Sequence, residues 1–177
     1  HFFDIKNKSV FTHVKLNIYP DGGVARLRLY GTMEVKKNFK KKIINLTSVL
    51  NGSTPIVCNN EHFGRAENVL APGSGKNMGD GWETRRSRGK NFDWLIVKCA
   101  TEGKITKIQI DTHHFKGNHP DKCSLQASHL KGKVKYNTIA AKSKKWKLLL
   151  SKVKLHAHKK HNFKNYLMKN KKINYIK

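Results

Sequence analysis

At 177 residues the chain is long enough to bury a core, and one domain, or one domain plus a fragment, is the natural reading. Its net charge is +26, with 37 Lys and Arg against 11 Asp and Glu, and only 37% of it is hydrophobic, so parts are candidates for disorder. No apolar run approaches the roughly 18 residues of a membrane span, which argues against a membrane protein.

The excess of positive charge first suggests a polyanion such as nucleic acid. Only six of the 37 basic residues are Arg, however, and the densest runs, "KKNFKKK" (Lys36 to Lys42), "KSKKWK" (Lys142 to Lys147) and "KNKKINYIK" (Lys169 to Lys177), contain none. Arg is the usual bidentate reader of phosphate and guanine, so nucleic-acid binding is not the expected primary role. Cys58, Cys99 and Cys123 are odd in number and form no CxxC pair. They favour reduced thiols in an intracellular, cytoplasmic protein over a disulfide framework. No signal-peptide pattern is present. The sequence opens on His1 rather than Met and reads as a piece of something longer.

In chain order, "HVKLNIY" (His13 to Tyr19) alternates with Val14, Leu16 and Ile18 on one face. The turn residues "PDGG" follow, and "VARLRLYG" alternates again, with Ala25, Leu27 and Leu29 opposite Arg26, Arg28 and Tyr30. Pattern and turn chemistry predict a β-hairpin. The lysine run and "NLTSVLNGSTP" read as linker or loop, "PIVCN" as a short strand, and "EHFGRAENVL" as a helical turn or loop. "DWLIVKCA" (Asp93 to Ala100) is a continuous apolar run and predicts a buried strand. "KITKIQID" predicts another, delivering Asp111 to the following loop; "KWKLLL" and "VKLHAH" are two further candidates. Trp82, Trp94 and Trp146 read as core. Long helical periodicity is absent, and many short strands with Gly-rich loops predict an all-β sandwich or barrel. A faint internal echo links "HFFDIKNKSVFTHVKLNIYPDGG" at the start to "HNFKNYLMKNKKINYIK" at the end.

Half of the six arginines, Arg85, Arg86 and Arg88, lie in "NMGDGWETRRSR" beside Asp80 and Glu83. Four stretches, "THVKLNIYPDGGVARLRLYG" (Thr12 to Gly31), "HFGRAENVLAPGSGKNMGDGWETRRSR" (His62 to Arg88), "DWLIVK" (Asp93 to Lys98) and "DTHHFKGNHP" (Asp111 to Pro120), closely resemble the allantoicase family, in that order. "KLHAHKKHNF" (Lys154 to Phe163) resembles the stretch that follows in that family. The resemblance implies an all-β fold, a jelly-roll β-sandwich similar to galactose-binding domains and built as two homologous repeats. It divides the chain into the end of a first repeat (residues 1–34), a Lys-rich linker (35–46), most of a second repeat (47–165) and a Lys/Asn-rich tail (166–177). It implies hydrolysis of allantoate to ureidoglycolate and urea in purine catabolism, without a nucleotide or organic cofactor. Because "KINYIK" is a poor substitute for a closing hairpin, the N-terminal hairpin is expected to complete the second repeat's sandwich, within the chain or swapped in a homo-oligomer. The rival readings are an inactive relative binding a small ureide or sugar, and a polyanion-binding module.

The chemistry implied needs an anchor for a carboxylate, an acid for the leaving ureido nitrogen and a base for water. Arg85 and Arg86 suit the anchor, since Arg offers two parallel charge-assisted hydrogen bonds. Glu83 is a candidate acid or base, and in extended chain it projects with Arg85; alternatively, an internal carboxylate–Arg pair simply locks the loop. In "DTHHFKGN", His114 matches the family motif while His113 falls at a variable position. Asp111 can serve as a base or orient His114, and Lys116 and Asn118 can hold a carboxylate or a ureido oxygen. A strand-end turn stabilised by Asp and Asn is the plainer alternative. Arg26 and Arg28 line the same cleft or face solvent. On a strand His156 and His158 would share a face and, with His161, suggest a metal; with no Cys or carboxylate nearby in sequence, no metal ligand is assigned.

Overall fold

The computed structural model describes residues 1–7, 9–10, 14–31, 43–89, 91–132, 134–164, 166–168 and 171–177. The described chain from residue 43 onward builds two antiparallel sheets. The elements are β1 (Thr54–Cys58), β2 (Leu95–Lys104), β3 (Ile108–Asp111), β4 (Lys122–Ser128), α1 (Tyr136–Ser143), β5 (Lys147–Lys154), β6 (Lys160–Phe163) and β7 (Lys172–Ile176). One sheet has five strands in the order β1-β2-β7-β4-β5, and the other pairs β3 with β6. The protein is therefore mostly β, as the short-strand pattern predicts.

Strand β2, second in the large sheet beside β7, buries Ile96, Val97 and Cys99 on both of its faces, which is why its first half reads as a continuous apolar run. Its Ile96 packs with Ile139 of α1, Trp146 and Tyr175. Its Cys99 joins Ala127, Leu149, Leu150 and Ile173 from the same sheet and Ile108 of β3, with Ile110 and Phe163 against them. This second cluster holds the two sheets together. Burial pushes the Cys99 thiol up to about 12, and all three cysteines are free. No helix among the described residues is long and apolar enough to cross a membrane.

Three expectations change. The residues 14–31 predicted as a hairpin form neither strand nor helix, and Val14, Leu16, Leu27 and Leu29 are 51–62% exposed. A two-strand ribbon is marginal unless its apolar face is covered, and nothing among the described residues covers it. His13 and the lysine run Lys36 to Lys42 lie outside the described residues. Secondly, the supposed tail contributes β7, the central strand of the large sheet, paired with β2 on one side and β4 on the other. Ile173 and Tyr175 are 1% and 4% exposed, so "KINYI" belongs to the core rather than to a solvated end. Thirdly, "KWKLLL" and "VKLHAH" are not two strands. A single strand, β5, ends at Lys154, and the chain then turns at His158, whose φ is +50°. His156 and His158 therefore do not share a strand face.

Candidate active site

Three loops meet at one end of the sheets: residues 59–94 between β1 and β2, 112–121 between β3 and β4, and 155–159 between β5 and β6. The first is long, and backbone hydrogen bonds fix it around Glu83. The Glu83 carbonyl accepts from the N–H groups of His62, Phe63 and Gly64 at 3.0, 3.2 and 3.4 Å, and the Glu83 N–H donates to Gly64 O at 3.2 Å. The Trp82 indole donates to Asn60 O at 2.9 Å. The Asn68 amide spans Gly79 O and Gly81 O at 3.2 and 3.0 Å. Asp80 accepts the Lys76 N–H at 2.6 Å. Two glycines are required by close approach. A Cβ on Gly64 would lie 2.2 Å from Gly81 O, and one on Gly81 would lie 2.6 Å from the Phe115 ring. The second contact joins the first loop to the next.

The second loop leaves β3 at Asp111, whose carboxylate accepts the His113 N–H at 2.8 Å. Thr112 is buried; its hydroxyl lies 2.6 Å from His156 O and 3.0 Å from Lys159 O and accepts the Lys159 N–H at 3.1 Å. This ties the second loop to the third. His114 has φ +69° and His158 +50°, an unusual region for non-glycine residues. The His114 N–H donates to His158 Nδ1 at 2.9 Å, and the His158 N–H donates to Phe115 O at 3.2 Å. The His113 and His158 rings stack with centroids 4.0 Å apart. Lost hydration in this crowded corner, then the neighbouring His113, Lys116 and His114, lower the His158 pKa from its ordinary value.

Hydrogen bonds also decide the tautomers. His158 Nδ1 accepts, so the neutral ring carries its proton on Nε2. His114 Nε2 sits 2.9 Å from Gly75 O, which only a protonated nitrogen can satisfy; in the neutral ring the lone pair is then on Nδ1. His161 has both nitrogens engaged: Nε2 accepts the His156 N–H at 2.9 Å, and Nδ1 lies 3.2 Å from Ile110 O. It is a buried histidine clamping β6 to β3 and the turn before it. The trio His156, His158 and His161 is therefore not a metal set. Nitrogens of His113, His114 and His158 do lie within 4.8 Å of one another. A cation there would have to displace the His114 N–H from His158 Nδ1, so the donor set fits poorly.

The structure brings together Glu83 and Asn118, whose amide donates to Glu83 Oε1 at 2.5 Å. Among the described residues Arg85 pairs with no carboxylate; its Nε donates to His62 Nδ1 at 3.1 Å. No ion pair among the described residues joins Arg85, Arg86 or Arg88 to Asp80 or Glu83, so the corner around Glu83 is held by backbone groups, the Asn68 and Asn118 amides and the Asp80 carboxylate rather than by a pair among these residues. Glu83, Arg85, Arg86, Asp111, His114 and Asn118 line one open cleft of about 2730 Å³. Lys116 is exposed beside it. Asp111 does not orient His114; besides the His113 N–H it faces Lys160 Nζ at 3.9 Å, and that ammonium donates to Ser74 at 2.8 Å. Arg26 and Arg28 are not brought to the cleft but lie exposed in the N-terminal segment. His62, Thr112 and, in this role rather than as a metal candidate, His158 are the neighbours that sequence reasoning missed. Only "DTHHF" and "HAHKKH" hinted at the last two, and nothing in sequence pairs His62 with Arg85.

Residues 1–34 and 44–177 match the model of the allantoicase repeat. A protein of Photobacterium profundum named "Probable allantoicase" is 48% identical over 162 residues, covering 89% of this chain and 48% of that protein. One of Acinetobacter baylyi with the same name is 40% identical over 177 residues, covering 100% of this chain and 53% of the relative. The crystal structure of allantoicase from Saccharomyces cerevisiae superposes with a TM-score of 0.63 at 32% identity, over 75% of this chain and 37% of that one. The chain thus spans about half the length of the relatives it matches. With the repeat model covering nearly every residue, the chain belongs to the allantoicase family.

Proposed function

We propose that the protein is a hydrolase of C–N bonds that converts allantoate and water to ureidoglycolate and urea. The observation that carries this reading is the half-buried Glu83, held by Asn118 from the facing loop and set in the same cleft as Arg85 and His114. Relatives named as allantoicases support it. The five-strand and two-strand antiparallel sheets support a jelly-roll sandwich of the galactose-binding type. Residues 1–34 are read as the end of one repeat and the two-sheet body as most of a second, which extends through β7.

Allantoate is one carbon bearing a carboxylate and two ureido groups. Arg85 anchors the carboxylate: His62 occupies its Nε, leaving the two terminal nitrogens for parallel charge-assisted hydrogen bonds. Glu83 has one oxygen on Asn118; its other oxygen has no hydrogen-bond partner among the described residues and carries the proton to the departing ureido nitrogen. As that C–N bond breaks, water adds to the carbon, and His114 Nδ1 takes the water's proton. Asp111, committed to the His113 N–H and facing Lys160, positions the loop instead of moving protons. Arg86 and Lys116 add positive charge at the mouth.

Urea release by the purified chain tests this. Glu83→Gln is expected to lower kcat by about 10²- to 10⁴-fold, the usual worth of a positioned acid or base. Arg85→Ala is expected to raise KM above all. Full activity in a folded Glu83→Gln variant removes Glu83 from the chemistry. A cooperatively melting wild-type chain without turnover shows that these loops alone are insufficient.

A further inference from the structure

We propose that His158 is a positioning residue for the reaction, holding the His114 backbone so that the His114 ring presents Nδ1 to water, a role that rests on the reading of His114 as the base. Thr112 to Phe115 is a tight turn, closed by the Phe115 N–H donating to Thr112 O at 3.1 Å. His114 stands third in it at φ +69°, a place usually taken by Gly or Asn when positive φ is needed. That conformation has to be held from outside the turn, and one residue does so at two points. His158 Nδ1 accepts the His114 N–H at 2.9 Å, and the His158 N–H donates to Phe115 O at 3.2 Å.

His158 is itself held in place. It and His114 are the two non-glycine residues at positive φ among the described residues, and such strained positions persist only where their surroundings over-determine them. The His158 ring stacks on His113 with centroids 4.0 Å apart. On either side of it in the chain, the Thr112 hydroxyl fixes His156 O and the Lys159 N–H. An acceptor at Nδ1 requires a neutral ring. Lost hydration first, then His113, Lys116 and His114, disfavour the cation, against Asp111, which favours it. With its backbone fixed by His158 and its Nε2 fixed on Gly75 O at 2.9 Å, the His114 ring has one orientation, and Nδ1 is the nitrogen left for chemistry. The loops stay joined without this bond, through Thr112 and through the close approach of Gly81 to Phe115. Its loss therefore reaches the chemistry more than the fold.

Three substitutions at this one position separate the acceptor from the backbone conformation. Asn tolerates positive φ and carries an oxygen where His carries Nδ1; Gly takes positive φ freely but offers no acceptor; Gln places its oxygen further out, near the position of Nε2. In urea release from allantoate by the whole chain, His158→Gly and His158→Gln are expected to lower kcat by about 10²-fold, the scale of a misplacement of about 1 Å. KM and Tm are expected to stay near wild type, and His158→Asn to restore most of the rate. Nitrogen-15 NMR of the His114 ring is expected to show one tautomer, protonated on Nε2, in wild type and His158→Asn, and an average of two in His158→Gly. Wild-type kcat in His158→Gly overturns the proposal, because positive φ would then be all that the position supplies. So does an Asn variant as slow as the Gly one, an unchanged His114 tautomer in His158→Gly, or a His158→Gly chain that does not fold. If the wild-type chain turns over no allantoate, that result counts against the proposed function, and the spectra still decide whether His158 sets the His114 ring.

Discussion

Glu83 is held less by its side chain than by its backbone, which exchanges hydrogen bonds with Gly64 and receives two more from His62 and Phe63. Its position thus depends on Gly64 having no Cβ. Gly64→Ala puts a carbon 2.2 Å from a carbonyl oxygen, and the obstacle is backbone, which cannot swing away. The expected cost is about 1–3 kcal/mol, the usual range for overpacking, read as a lower Tm together with reduced urea release. A Tm equal to wild type would show that the loop shifts without cost. The same residues show what one position reveals in sequence. "GDGWETRR" marks a polar, glycine-rich corner, and an acid and an anchor can be named there. The bond from Asn118 to Glu83 spans 35 positions, and the bond from Arg85 to His62 spans 23. No local pattern encodes either.

At the scale of elements, the correction at the C-terminus has the largest energetic weight. A stretch with lysines at 169, 171 and 172 and only two buried side chains reads as a solvated tail by composition. It is the central strand because β2 and β4 each leave it one edge, and Ile173 and Tyr175 each enter one of the two cores. Ile173→Ala is expected to cost about 2–5 kcal/mol, as for a fully buried aliphatic side chain. Denaturant midpoints measure it, and a loss below about 0.5 kcal/mol would mean that β7 is dispensable. The N-terminal segment is the opposite case. Its alternation is the cleanest in the chain, yet alternation reports only that one face wants cover. Whether that cover comes from a hairpin partner or from another element is a matter of topology.

For the whole molecule, acids are scarce enough that single carboxylates matter. Glu102, near the end of β2, accepts from Lys172 at the start of β7 at 2.8 Å and meets His129, just past β4, at 2.8 Å. It therefore links three strands of the large sheet. The Lys172 hydrogen bond first, then the His129 hydrogen bond, lower its pKa. A carboxyl with a depressed folded-state pKa contributes stability above its unfolded value, about 4.3, and loses it as pH falls through the folded value. Wild type is thus expected to melt above Glu102→Gln at pH 6 to 7, the two converging towards pH 3. The gap will be small because the group is exposed. Equal Tm values across that range would leave the cluster without energetic weight.

By itself the sequence determined the class of fold, since period-2 alternation and buried apolar runs follow from side chains alternating across a strand. It also determined the family, the polar loops and the residue types available for chemistry. Tertiary structure alone decided the place of β7, the failure of residues 14–31 to pair with each other, the structural role of His161, and the meeting of Glu83 with Asn118. The reason is common to all four. Each depends on which edges and nitrogens other segments have already taken, and that competition exists only once the chain is folded.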